Sequence, residues 1–237
     1  MGRIGYHTAS SAVIAYQLGL DVTANNIANV NTNGFKASRA DFADLIYTER
    51  NNRNEETQYG HGVKVDKTNM LYEQGILKHT ERKLDFAALD DGFFSVRTLG
   101  GDMMYTKDGA FYINVTDNTL RDSNGSYVLD YSGNEITVPY IDGLPDYDAI
   151  REAVGIFTFQ NPYGLDQQGR NYLEATESSG EAAAAPQIKK KQGYVEASST
   201  NIANEMTQVI EYQRAFQLNT KMIQLHNELE EKINSLR

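Results

Sequence analysis

From Tyr6 onward, apolar and small residues recur at alternating steps of three and four: Tyr6, Ala9, Val13, Tyr16, Leu20, Thr23, Ile27 and Val30, with polar Gln17, Asn25 and Asn26 between them. Residues three and four apart share one face of a helix, so this spacing draws a single stripe. The stripe stops at Asn31-Thr32-Asn33-Gly34, where Asn-Gly supplies the positive φ that ends a helix or makes a turn. At the other end Ile202, Met206, Val209, Gln213, Phe216, Thr220 and Ile223 repeat the same steps, and Met222, Leu225, Leu229, Ile233 and Leu236 continue on a slightly shifted stripe. Charge pairs along this second helix are mixed, attractive in Glu211 with Arg214 and repulsive in Glu228 with Glu231, and each contributes only about 0.3 kcal/mol. The stripe therefore needs a partner.

Between the ends the period falls towards two and turn residues crowd in. Candidate strands are Val63–Val65, Ile76–Lys78, Leu84–Ala88, Phe93–Thr98, Met103–Thr106, Ala110–Val115, Tyr127–Asp130, Glu135–Pro139, Val154–Phe159 and Asn171–Glu174. Asp91-Gly92, Gly100-Gly101, Asp108-Gly109, Asn124-Gly125 and Ser132-Gly133 supply tight turns between them. Short strands joined in this way predict an antiparallel sandwich or partly open barrel. A short helix is expected between Asp142 and Arg151, and the alanine run, Pro186 and lysines of 181–191 read as a linker or mobile loop.

The expected fold is α+β: long N- and C-terminal helices pairing as a coiled-coil-like inner domain, with a β-rich antiparallel middle domain. Residues 1–40 and 187–237 form the inner domain, and 63–186 the outer one. Residues 41–62 join them as an extended arm, because Glu49–Gln58 is wholly polar and has little to bury within one subunit. Each helical stripe is wider than one partner helix covers, which leaves apolar surface wet and favours self-association.

Composition narrows the function. Lys and Arg number 22 against 32 Asp and Glu, a net charge of −10 that repels phosphate backbones and anionic lipid, so nucleic acid is not expected as a partner. With no cysteine, disulfides, Cys-ligated metal and thiol nucleophiles are excluded. The longest apolar run near the N-terminus is Ala12-Val13-Ile14-Ala15-Tyr16, too short for a secretory signal, and no stretch of about 20 apolar residues predicts membrane insertion. The chain is expected to be soluble, or to leave the cell by a route that ignores such signals.

Candidate chemistry is sparse. His7, His61, His79 and His226 lack metal-ligand spacing, and the adjacent carboxylates Asp90-Asp91 and Glu55-Glu56 do not face one another as an acid/base pair. Gly60-His61-Gly62 has neither the spacing nor the Lys-Ser/Thr of a phosphate loop, and Ser10-Ser11 and Ser198-Ser199 sit outside any nucleophile elbow. Lys189–Lys191 is a triplet in an acidic chain. Neither an enzyme nor a cofactor is expected. The run of asparagines from Asn25 to Asn33 does not suit a solvated helix, and reads either as amides bonded to backbone or neighbouring chains, or as a fraying helix end.

The run Leu20-Asp21-Val22-Thr23-Ala24-Asn25-Asn26-Ile27-Ala28-Asn29-Val30-Asn31-Thr32-Asn33-Gly34-Phe35-Lys36 resembles the N-terminal signature of bacterial flagellar rod and hook proteins. Gln192–Asn201, Glu205-Met206 and Glu211-Tyr212-Gln213-Arg214-Ala215-Phe216 through Asn219-Thr220-Lys221 are similar to the family's C-terminal signature. Gln74-Gly75-Ile76-Leu77, Leu84-Asp85-Phe86-Ala87 and Tyr105–Phe111 resemble the family as well, whereas Asp90 stands where it usually has glycine and Ser199-Thr200 where Asn-Val usually follows the serine. Residues 112–185 carry no signature.

The resemblance implies a structural subunit exported unprocessed to the extracytoplasmic basal body, polymerised into a helical tube with the terminal helices inside. A homopolymer and other rod and hook proteins are the implied partners, with surrounding rings where the envelope has an outer membrane. The chain is closest to distal rod members, then proximal rod, then hook. The subunit-packing residues implied are Val13, Tyr16, Leu20, Asn26, Ile27, Asn29, Asn33, Gly34, Phe35, Ile202, Met206, Val209, Gln213, Arg214, Phe216 and Ile223. A surface- or carbohydrate-binding β module with oligomerising helices is the alternative from another class.

Overall fold

The computed structural model describes residues 2–45, 48–52, 55–169 and 171–236. Among the described residues three α-helices are formed, α1 (Gly2–Ala28), α2 (Tyr147–Ala153) and α3 (Ile202–Ser235). The chain divides into two compact units. The first contains 1–28, 38–70 and 201–237; the second contains 29–37 and 71–200.

In the helical unit α1 and α3 lie against each other. α3 starts at Asn201, whose side-chain oxygen accepts from the amides of Ala203 and Asn204 at 3.1 and 3.3 Å, satisfying two of the helix's free donors. Strands Ser38–Asp44 (β1), Thr48–Asn52 (β2), Glu55–Tyr59 (β3) and Val63–Met70 (β4) complete this unit. β1 pairs antiparallel with β4 from Ser38 opposite Met70 to Asp44 opposite Val63, with a bulge between Asp41 and Phe42. β2 pairs with β3 from Thr48 opposite Tyr59 to Asn52 opposite Glu55.

Where the sequence predicts an extended arm over 41–62, the described backbone therefore runs out and back. Pairing across each two-stranded ladder gives the backbone hydrogen bonds that need no apolar side chains, so polar side chains do not oblige it to stay open. Residues 46, 47, 53 and 54 of that stretch lie outside the described residues.

The β-rich unit is built on an antiparallel sheet in the order Asp166–Gln168, Tyr172–Glu174, Met103–Thr106, Phe93–Arg97, Tyr127–Val128, Thr119–Arg121 and Tyr112–Asn114. Ile156–Thr158 pairs with Phe93–Phe94 and with Ala183–Ala184. The core beneath it gathers Phe86, Phe94, Val96, Phe111, Leu120, Val128, Ile150, Val154 and Ile156. Each such side chain, removed from water, contributes about 1.5 to 3 kcal/mol. The turns expected at Gly101, Gly125 and Gly133 are present, with φ of +96°, +88° and +80°.

Two expectations are corrected in this unit. Glu135–Pro139 is not a strand but two single bridges, Leu129 with Glu135 and Thr119 with Thr137, although Ile136 and Val138 are buried. Within the expected linker 181–191, Ala185 is buried and Ala183–Ala184 is paired. Lys190–Gln192 forms a ladder with Phe86–Ala88, and Tyr194–Glu196 with Leu77–His79. The lysines are compatible with strands because their ends find partners: Lys190 Nζ donates to the Val154 carbonyl at 2.5 Å, and Lys191 Nζ lies 5.1 Å from the centre of the Tyr194 ring. Of the stretch 187–237, the part up to Thr200 thus belongs to the β-rich unit, and only 201 onward to the helical one.

Candidate assembly surface

The seam between α1 and α3 is made of small residues. Ala9, Ala12, Ala15, Gly19, Thr23 and Asn26 are the buried positions among the described side chains of α1, one helical face in steps of three and four. Gly19 shows why size matters, since a Cβ there would stand 3.1 Å from Tyr212 Cε2 and 3.2 Å from Phe42 Cζ. Tyr16, Phe42 and Tyr212 close around this spot with ring centres 5.8 to 6.1 Å apart, and burial pushes the Tyr212 hydroxyl pKa up. Further along, Asn26 sits beside Glu205, while at the opposite end Tyr6 lies 5.8 Å from His226. Rising numbers on α1 thus meet falling numbers on α3, so the helices are antiparallel.

Val13, Tyr16, Leu20 and Ile27, which belong to the stripe that the spacing predicts, lie half-buried on the flanks of this seam. Ile14 and Leu18 are exposed. On α3, Val209, Phe216 and Ile223 are half-buried with Tyr212. Ile202, Met206, Gln213 and Arg214 face solvent. A second apolar row, Ile210, Leu218, Met222, Leu225, Leu229 and Ile233, is also exposed, with Leu218 at 67% and Leu229 at 60%. α3 therefore carries apolar side chains on two sides and satisfies only one of them.

Three family profiles match the chain: "Flagella basal body rod protein" over residues 7–36, "Flagellar hook protein FlgE/F/G D1 domain" over 89–154, and "Flagellar basal body rod FlgEFG protein C-terminal" over 191–236. The flagellar basal-body rod protein FlgG of Borreliella burgdorferi is 36% identical, with 97% of each chain covered. The chain belongs to the flagellar basal-body rod protein family. FlgG of Bacillus subtilis is 32% identical over 98% of each chain, and the B. subtilis hook-basal body complex protein FlhP is 28% identical over 97% of this chain and 98% of its own.

In this rod-family chain the N-terminal and C-terminal signatures contribute to the fold itself. Asn26 Nδ2 donates to the Ser38 carbonyl at 2.7 Å and to Glu205 Oε2 at 3.2 Å, and its Oδ1 accepts from the Ser38 amide at 2.9 Å. Asn29 and Asn33 are half-buried, while Gly34 and Phe35 are interior to the β-rich unit. Gly34 has φ of +67°, and a Cβ on it would come within 2.4 Å of the Asp108 backbone nitrogen. The asparagine run is thus spent on backbone at least at Asn26, one of the readings its composition left open.

The sequence did not reveal two buried polar groupings in the β-rich unit. Lys36 and Glu196 pair at 2.6 Å with side chains 3% and 1% exposed. Asp108 accepts from the Ala110 amide at 3.0 Å and from Ser123 Oγ and Asn171 Nδ2, each at 3.3 Å, and burial pushes its pKa up to about 6. Among the described residues no group of three or more His, Asp or Glu is placed to hold a metal ion, and no helix is long and apolar enough to cross a membrane.

Proposed function

We propose that this chain is a structural subunit of the bacterial flagellar rod, closest to its distal members, which polymerises into a helical tube that transmits torque and encloses an export channel. The observation that carries the reading is the exposed apolar row on α3, next to a seam that already buries the helix's other side. A row of that length gains most by packing against copies of the same helix. In this reading α1 and α3 extend their pairing into coiled-coil-like packing between subunits. Ile202, Met206, Val209, Phe216 and Ile223, with Val13, Tyr16, Leu20 and Ile27, supply the contacts. Gln213 and Arg214 set their register, and the β-rich unit faces outward.

The relatives' names support membership of the basal body, with other rod and hook proteins as neighbours. Export without a cleaved signal, and rings around the polymer where an outer membrane exists, belong to the same reading. The hook alternative gains nothing comparable, because the two FlgG relatives above, each at least 32% identical over nearly the whole chain, are named as basal-body rod proteins.

Negative-stain microscopy of the concentrated full-length protein tests this. Straight fibres from the parent chain, absent in Leu218→Asp/Leu229→Asp with the β signal in circular dichroism retained, are the expected result. Fibres of equal number and length from the double variant would overturn it.

A further inference from the structure

The chain enters the β-rich unit at Asn29, leaves after Ala37, re-enters at Leu71 and leaves for good after Thr200. All of these passages run through three short segments, which converge on one buried ion pair. Lys36 Nζ donates to Glu196 Oε1 at 2.6 Å and to the Glu73 carbonyl at 2.7 Å, and the same Glu196 oxygen accepts from the Gly75 amide at 2.8 Å. Around the pair, the Gly34 amide donates to the Glu196 carbonyl and the Ser199 amide to the Phe35 carbonyl. The Ala37 amide donates to Ser199 Oγ, the Leu71 amide to the Ala37 carbonyl and the Ala197 amide to the Ile76 carbonyl. Gly75 allows this approach, since a Cβ there would come within 2.1 Å of the Ala197 carbonyl oxygen.

A buried ion pair is a poor way to gain stability, because desolvating both charges cancels most of their attraction. Its gain is in specificity: either charge left alone in the interior is strongly unfavourable, so segments that carry the two halves cannot slip past one another. Here those halves are on the first passage and the last, 160 residues apart, with the middle passage bonded to both.

We propose that Lys36 and Glu196 form a mechanical latch, which fastens the three passages into one block so that load arriving along either terminal segment is shared among all of them. The load is that of the rod reading above, on which this inference rests. The latch itself is a property of the isolated chain.

Hydrogen exchange on the full-length monomer separates the two. In Lys36→Met/Glu196→Gln, which removes both charges and keeps an acceptor for Gly75, the amides of Gly34, Gly75 and Ala197 should exchange at least tenfold faster. Those of Phe86 and Leu129, bonded within the sheet region, should be unchanged. Unaltered exchange at the three latch amides, or an equal rise at all five, overturns the latch. Should the double variant not fold, Ser199→Ala, which removes only the acceptor of the Ala37 amide, is expected to raise exchange at Ala37 and Gly34 alone; a uniform rise or none is equally decisive against it. In cells, the double variant should build basal bodies and swim in dilute medium but lose most of its speed in viscous medium; equal loss in both media counts against load sharing. If the parent chain itself fails to restore basal bodies to a strain lacking its own rod subunit, the rod reading falls while the exchange result stands.

Discussion

Asn26 and Glu205, 179 residues apart, meet across the α1–α3 seam, where the asparagine amide donates to the carboxylate at 3.2 Å. Burial raises the Glu205 pKa, and the bond from Asn26 opposes that rise. Because Asn26 also engages both backbone groups of Ser38, Asn26→Ala leaves three polar groups short of a partner and should cost about 2 to 4 kcal/mol in urea unfolding. Asn26→Asp should be worse at pH 7, where it sets two carboxylates together, and recover part of the loss as the pH falls.

The packing of the seam gives a paired prediction. Ala12→Leu forces bulk into a closed contact and should cost about 1 to 3 kcal/mol, whereas Leu218→Ser on the exposed row should change monomer stability by less than about 0.5 kcal/mol. Thermal unfolding of dilute monomer checks both. Equal losses would mean that the exposed row is packed within the monomer.

Asp90 is exposed and has φ of +54°, a region that costs ordinary L residues about 1 to 2 kcal/mol. Its carbonyl accepts from Lys107 Nζ at 2.5 Å, a contact that glycine retains, although the carboxylate's attraction for that ammonium is lost. Asp90→Gly should leave stability within about 0.5 kcal/mol, while the β-branched Asp90→Val should lose about 2 kcal/mol. Denaturant midpoints at pH 7 decide between them.

Asp108 makes stability depend on pH in a direction opposite to that of most carboxylates. Burial raises its pKa from 3.8 to about 6, against the bonds from Ala110 and Ser123 and with help from Asp122 and Asp85. The folded chain therefore holds a proton between about pH 6 and pH 4 that the unfolded chain releases. Its contribution to stability rises as pH falls through that window, by up to about 3 kcal/mol, and is absent above it. Subtracting an Asp108→Asn unfolding series from the parent series between pH 7 and 4 isolates this term. A flat difference would remove Asp108 as its source.

Both terminal helices could be read from apolar spacing, and the turns at Gly101, Gly125 and Gly133 from their dipeptides, because each signal is local. The seam itself was not legible. Large residues dominate any search for a stripe, yet helices that approach closely need Ala12, Ala15 and Gly19 at the contact and leave Val13 and Leu20 to the flanks. Ser38–Asp44 carries no local strand signal, because its strand partner begins 25 residues later at Val63, after a polar segment. The partnership of Lys36 with Glu196 was hidden for the same reason on a larger scale. Nothing near either residue marks it as buried, and only the folded topology brings them together. Asp90, noted for standing where the family has glycine, was the one backbone peculiarity that sequence comparison alone singled out.

In the rod reading proposed above, the exposed row on α3 also bears on how the chain is supplied. A helix of 34 residues with apolar side chains open along much of its length has a short useful life at high concentration, because any two copies that collide can bury that surface in the wrong register. Losses of this kind grow with the square of the free concentration, while productive addition at a growing end grows only in proportion to it. The yield of correct structure is then highest when copies are produced no faster than they are consumed, which makes the timing of synthesis as important to the finished shaft as the fold of the subunit.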